Sequence, residues 1–222
     1  MMRRKIQTIG WFTALLTLTL LWVSPAMAEG YDLDIAGTQV TDANCNDLSG
    51  IEDVTMKAGG VFKYNPATKT LTMKDVTVLV GNAYAIYNNI EGLKIDISGT
   101  NRLVATENYA LFCSESTELT GSGSLTVVGS HAHTSVYFHN TLTISNIILE
   151  ASGMYGIAGY NDMQTLILKN AKVTAKGTVG GIAKLAAFIT EGCKFQLPTN
   201  AKFDETKHAV VNNNGDVAKT VM

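Results

Sequence analysis

From about residue 70 the chain is written in short stretches where hydrophobic and polar positions alternate, as in TLTMKDVTV, TLTISNIIL and TLILKNAKVTA. Alternation with period two, rich in β-branched residues, predicts short half-buried strands. The pattern also repeats on a longer scale. NAYAIYNN at 82–89 returns as ENYALFCS, HTSVYFHN, MYGIAGYN and VGGIAKLA. Aligning these stretches puts Ile86, Leu111, Val136, Ile157, Ile182 and Val210 in one column, at successive spacings of 25, 25, 21, 25 and 28 residues. Self-similarity at such a period marks a solenoid.

A second column, Leu71, Ile97, Leu119, Leu142, Leu166 and Phe188, opens a strand in each repeat. Four residues after each opener stands Asp75, Asn101, Gly123, Asn146, Asn170 or Gly192. Only residue types that tolerate a left-handed backbone occur there, which predicts a bend in every repeat. Each repeat therefore reads as strand, bend, strand, loop, strand, with no room for the helix of a classical parallel crossover. The predicted fold is all-β: a right-handed parallel β-helix of three faces and about six coils. An antiparallel β-sandwich would also have many short strands, but it requires no column identity at this period. GGIAKLAAFIT at 180–190 reads locally as helix, and only its place in the columns makes it strand, turn, strand.

A coil stack needs covered ends. Residues 29–65 and 198–222 break the period, and Pro66 and Pro198 mark the borders, so they are expected to be caps around coils at 66–197. VVNNNGDVAKT at 210–220 reads as a hairpin with a Gly-containing turn. Residues 1–28 are set apart, because Arg3, Arg4 and Lys5 precede an apolar run and then SPAMA. Ala26 and Ala28 fit a signal peptidase site, which predicts a signal peptide, a start at Glu29 and a periplasmic or extracellular destination. No further run is long and apolar enough to suggest a membrane span.

The opening YDLDIAGTQVTDANCNDLSG, YNPATKTLTM before the first coil, GIAGYN and KHAVVNNNGDV resemble secreted β-helical repeat proteins at the surface of Gram-negative gut bacteria. That resemblance, to a group largely without assigned functions, implies an extracellular and often multidomain protein, carbohydrate-binding or adhesin-like. It supplies no catalytic residue.

The whole chain carries a formal net charge of −2, and three of its cations lie in the expected leader; Arg102 is the one arginine after it. This balance argues against nucleic acid and anionic membrane surfaces. The partners that remain are a polysaccharide or cell-surface glycan, or another protein. If the aliphatic column faces inward, Ala85, Ala110, Ser135, Gly156, Gly181 and Ala209 form an outward strip of small residues, with Tyr87, Phe112 and Tyr137 stacked beside it. Outward aromatic faces beside a flat strip suit a sugar chain, which makes Tyr87, Phe112, Tyr137 and Ser135 the candidate ligand-binding residues. The plainer reading is that the rings stack on one another.

His131 and His133 lie on one side of an extended segment and could share a metal, but the neighbouring coils offer only Thr106, Asn108, Ser152 and Met154 as further ligands. His139 would lie roughly 20 Å farther along an extended strand. A polysaccharide lyase or glycoside hydrolase calls for converging carboxylates. No outward column stacks acids, and Arg102 could pair only with Asp96 or Glu107. No cofactor motif is present. The odd number of cysteines is no disulfide scaffold; Cys113 and Cys193 are expected to be buried and Cys45 near a surface. The expected function is a secreted, non-catalytic glycan-binding module; the alternatives are the enzyme and a structural stalk or adhesin segment.

Overall fold

The computed structural model describes residues 28–222, so the expected signal peptide lies outside the described residues apart from Ala28. The described chain is a parallel β-helix with no α-helix. An N-terminal hairpin of β1 (Gly30–Ile35) and β2 (Thr38–Thr41) is followed by β3 (Val54–Asn65), which runs antiparallel to β4 (Thr70–Val80). The coils continue through β5 (Ile86–Asn88), β6 (Leu93–Ser98), β7 (Thr100–Ala105), β8 (Leu111–Cys113), β9 (Thr117–Gly121), β10 (Ser124–Val128), β11 (Val136–Phe138) and β12 (Thr141–Ser145). They end with β13 (Ile148–Gly159), β14 (Gln164–Lys169), β15 (Lys172–Ala183) and β16 (Leu185–Glu191). Short antiparallel strands β17 (Lys202–Asp204), β18 (Ala209–Val211) and β19 (Thr220–Val221) follow.

Three parallel ladders make the faces. The first stacks β4, β6, β9, β12, β14 and β16; the second stacks β4, β7, β10, β13 and β15; the third stacks β5, β8, β11, β13 and β15. The aliphatic column is real over five coils: Ile86 pairs with Leu111, Leu111 with Val136, Val136 with Ile157, and Ile157 with Ile182, all buried. Val210 leaves it. β18 runs antiparallel against β15, with Ala209 opposite Ala183, so the stack has about five turns rather than six and the sixth position belongs to the cover over its end. The segment 180–190 is strand, turn, strand, with Lys184 in the left-handed region at φ 59°.

The opener column divides between two stacks. Leu71 pairs with Ile95, Ile95 with Leu119, and Leu119 with Ile144, so Ile97 is replaced by Ile95, whereas Leu142, Leu166 and Phe188 stack on one another in the neighbouring inward row, with Thr117 opposite Leu142. Asp75, Asn146, Asn170 and Gly192 hold positive φ, as the bends require. The other two bends sit at Gly99 and Gly121, not at Asn101 and Gly123. Asn101 is instead a buried clamp: its Oδ1 accepts the Val76 amide and its Nδ2 donates to the carbonyls of Ser98 and Ser124.

Candidate functional site

The third face presents the aromatic residues, because alternation in the three-residue strands β5, β8 and β11 turns their middle residue outward. Tyr87 is in register with Phe112, and Phe112 with Tyr137. Tyr84 and Tyr109, each two residues before its coil's column residue, fold back onto the same surface. Ring centroids lie 5.3 Å apart for Tyr87–Phe112, 5.4 Å for Phe112–Tyr137 and 4.6 Å for Tyr109–Tyr137, with interplanar angles of 37°, 20° and 14°. Rings lying side by side in one plane cannot come so close, so these are offset stacks. The faces of Phe112, Tyr109 and Tyr137 are turned to one another, and Tyr87 is tilted against Phe112. Burial pushes the Tyr137 phenol up to about 12, with Tyr109 and Tyr160 adding to it. Burial, then Tyr109 and Tyr87, raises that of Tyr84.

The small-residue strip is not an outer surface. Ala85, Ala110, Ser135 and Ala209 are buried, and the Ser135 hydroxyl donates to the Gly156 carbonyl. Alternation fails there because the chain turns a corner, so Ala85 and Ile86 both point inward. At Gly156 a Cβ would lie 2.7 Å from the Lys176 nitrogen, which shows how little room the corner leaves. Ser135 therefore drops out as a ligand contact.

The ladder ends at Tyr160, whose plane stands 79° from that of Tyr137 at 6.3 Å and whose ring is 53% exposed. His139 lies against it at 4.5 Å, and also meets Phe112 and Tyr137 edge-on at 4.9 and 5.6 Å. His139 packs on one side of Tyr160, and more than half of the residue remains exposed. Burial lowers the His139 pKa, which favours the neutral imidazole. Tyr160 and His139 border a pocket of about 460 Å3 whose remaining lining is Ser116, Asn140, Thr141, Asn161, Met163, Gln164 and Thr165.

Gln164 builds the wall. It is 4% exposed; its Oε1 accepts the amides of Asn161 and Met163, and its Nε2 donates to the His139 carbonyl and to Asn161 Oδ1. One side chain thus shapes the loop after β13 and ties it to the preceding coil. Opposite, Asn140 Nδ2 donates to Glu115 Oε2 at 2.8 Å and to the Ser114 carbonyl at 3.3 Å.

The two histidines of the HAH motif part company. His133 pairs with the Ser130 hydroxyl at 2.8 Å and meets Tyr109 edge-on at 5.1 Å, so it belongs to the aromatic cluster. His131 is exposed at the rim of a separate groove of about 470 Å3 that also includes Lys176 and Lys219. Among the described residues no three His, Cys, Asp or Glu side chains converge as metal ligands. The ion pairs among them are Lys94–Glu118 at 3.8 Å and Lys169–Glu191 at 3.3 Å, and Arg102 reaches neither Asp96 nor Glu107. Cys113 is fully buried, with its thiol pushed up to about 12 by desolvation, and Cys193 is half-buried. Cys45 is also buried, which corrects its expected place near a surface: it sits in the N-terminal core, where its amide bonds the Thr41 carbonyl and its own carbonyl accepts from Tyr64.

Sequence reasoning missed four contributors. Tyr84 and Tyr109 carried a usable signal, since they are spaced by the same 25 residues as the column. His139 was placed too far away by the assumption of an extended strand, and Tyr160 aligns with it, each three residues after its column residue, but that position was not read as a column. No protein-family model, curated protein or solved structure matches the chain.

Proposed function

We propose that this protein is a secreted, non-catalytic surface module that holds a glycan at the Tyr160 pocket. The observation that carries this reading is an exposed tyrosine, Tyr160, bordering a preformed pocket edged with hydroxyls and amides. A pyranose offers an apolar face for the ring and hydroxyls for the polar wall. The stacked Tyr87, Phe112 and Tyr137 act in this reading as a rigid buttress behind His139 and Tyr160, with the hydroxyls of Tyr87 and Tyr137 as secondary contacts. Rigid support lowers the ordering cost of binding. The leader pattern supports an extracellular setting.

The test is a glycan array run with wild type and Tyr160→Ala. Tyr160 is exposed, so its removal should leave the melting temperature nearly unchanged while weakening binding by about 0.5–1.5 kcal/mol, several-fold in Kd. Retention of every wild-type signal by the variant would move the site elsewhere.

A further inference from the structure

We infer that the Tyr160 pocket selects neutral, hydroxyl-rich sugars and rejects glycans carrying carboxylate or sulfate. This rests on the glycan-binding reading and narrows its ligand class. The grounds are an inventory of donors and charges. An anionic sugar needs either a cation or free N–H groups aimed at it. Four backbone N–H groups around this pocket are already committed: the Asn161 and Met163 amides to Gln164 Oε1, the Thr165 amide to the Asn140 carbonyl, and the Ser116 amide to Glu91 Oε2. Two of the three side-chain amides are committed too, while Asn161 Nδ2 meets only the Met163 sulfur at 3.6 Å. Gln164 Nε2 serves two oxygens within the loop and its coil neighbour, and Asn140 Nδ2 is held by Glu115 and Ser114.

What remains unspent is Asn140 Oδ1, which only accepts, an N–H of Asn161 Nδ2, the His139 ring nitrogens, and the hydroxyls of Ser116, Thr141, Thr165 and Tyr160, which can do either. Such a mixed wall fits partners that both donate and accept, as sugar hydroxyls do. The charges point the same way. The lining contains no lysine or arginine, while the carboxylates of Glu115 and Glu91 each lie one hydrogen bond behind a lining residue. Lys69, whose Nζ donates to the Glu91 carbonyl, and Lys94, which pairs with Glu118, both lie outside the lining. A uronate seated here would face the carboxylates of Glu115 and Glu91 with no lysine or arginine in the wall to offset them.

The measurement is calorimetric titration of the purified protein at low salt with neutral tetrasaccharides of glucose, mannose and galactose, and with tetragalacturonate, repeated with Glu115→Gln and Tyr160→Ala. The expected result is binding of at least one neutral tetrasaccharide, with tetragalacturonate at least about tenfold weaker. That gap should narrow in Glu115→Gln, which preserves the bond from Asn140, and at high salt. Tetragalacturonate binding as tightly as the best neutral ligand, with loss in Tyr160→Ala, would overturn the selectivity while leaving the site. Absence of binding to every oligosaccharide, or binding indifferent to Tyr160→Ala, would overturn the site and the selectivity together.

Discussion

Tyr109 and Tyr137 belong to successive coils, yet their rings lie 4.6 Å apart and within 14° of parallel, the tightest stack on the aromatic face. Tyr109 stands before its column residue and Tyr137 after its own, so the contact joins two coils across a corner as well as along the axis. A double-mutant cycle with Tyr109→Ala and Tyr137→Ala should give a coupling of about 0.5–1.5 kcal/mol. Strict additivity of the two losses would show that the rings are neighbours without mutual support.

The column through Ile86, Leu111, Val136, Ile157 and Ile182 was legible because its residues are aliphatic and their spacing is nearly constant. The opener column slipped for a physical reason: in a strand, positions i and i+2 point the same way, so Ile95 and Ile97 are equally good inward residues, and only pairing with the next coil separates them. Asn101 and Gly123 carried that slip into the bends. Ser135 failed differently, since alternation holds along a strand and not around a corner. Tyr160 was within reach, since it aligns with His139 in the repeat, but Gln164 was not, because its loop follows no period and takes its shape from one buried amide.

Asn146 and Asn101 look interchangeable in sequence but should respond oppositely to glycine. Asn146 holds φ 58° and is exposed, so Asn146→Gly should be close to neutral, while Asn146→Val should cost about 1–2 kcal/mol. Asn101 is buried and serves three backbone groups, so Asn101→Gly should cost about 1–3 kcal/mol through lost hydrogen bonds. Denaturant midpoints of the three variants check this. Equal midpoints for the two glycine variants would contradict the distinction between bend and clamp.

His139 is packed by Phe112, Tyr137 and Tyr160, none of which carries charge near neutral pH, and burial alone lowers its pKa. A base whose folded pKa is depressed is protonated more readily in the unfolded chain. Its contribution is therefore complete above the ordinary histidine value of about 6.5 and is lost as pH falls towards the lower folded value. Imidazole proton shifts should give a titration midpoint below 6.5 for His139, and Tyr160→Ala, which uncovers one side of the ring, should raise it. A wild-type midpoint at or above the ordinary value would mean that the imidazole is solvated rather than enclosed.

Gln164 offers the sharpest separation of structure from recognition, because it shapes the pocket while its own polar atoms are all spent on the loop. Its carbonyl oxygen takes two amides, from Asn161 and Met163, and its amide nitrogen gives two bonds, to Asn161 Oδ1 and the His139 carbonyl. Gln164→Glu keeps the acceptor and loses the two donations, whereas Gln164→Leu loses all four bonds at similar size. Each lost buried bond costs about 0.5–1.5 kcal/mol net, and in the glutamate variant a buried carboxylate oxygen also faces two acceptor oxygens, so both variants should be less stable than wild type. The diagnostic readout is local: amide exchange at Asn161 and Met163 should accelerate strongly in Gln164→Leu and less in Gln164→Glu, while the coil amides of β11 stay protected. Binding should fall in the same order even though Tyr160 is present in both. Unchanged protection at Asn161 and Met163 in the leucine variant would show that the loop holds itself, and the pocket would then need another explanation for its shape.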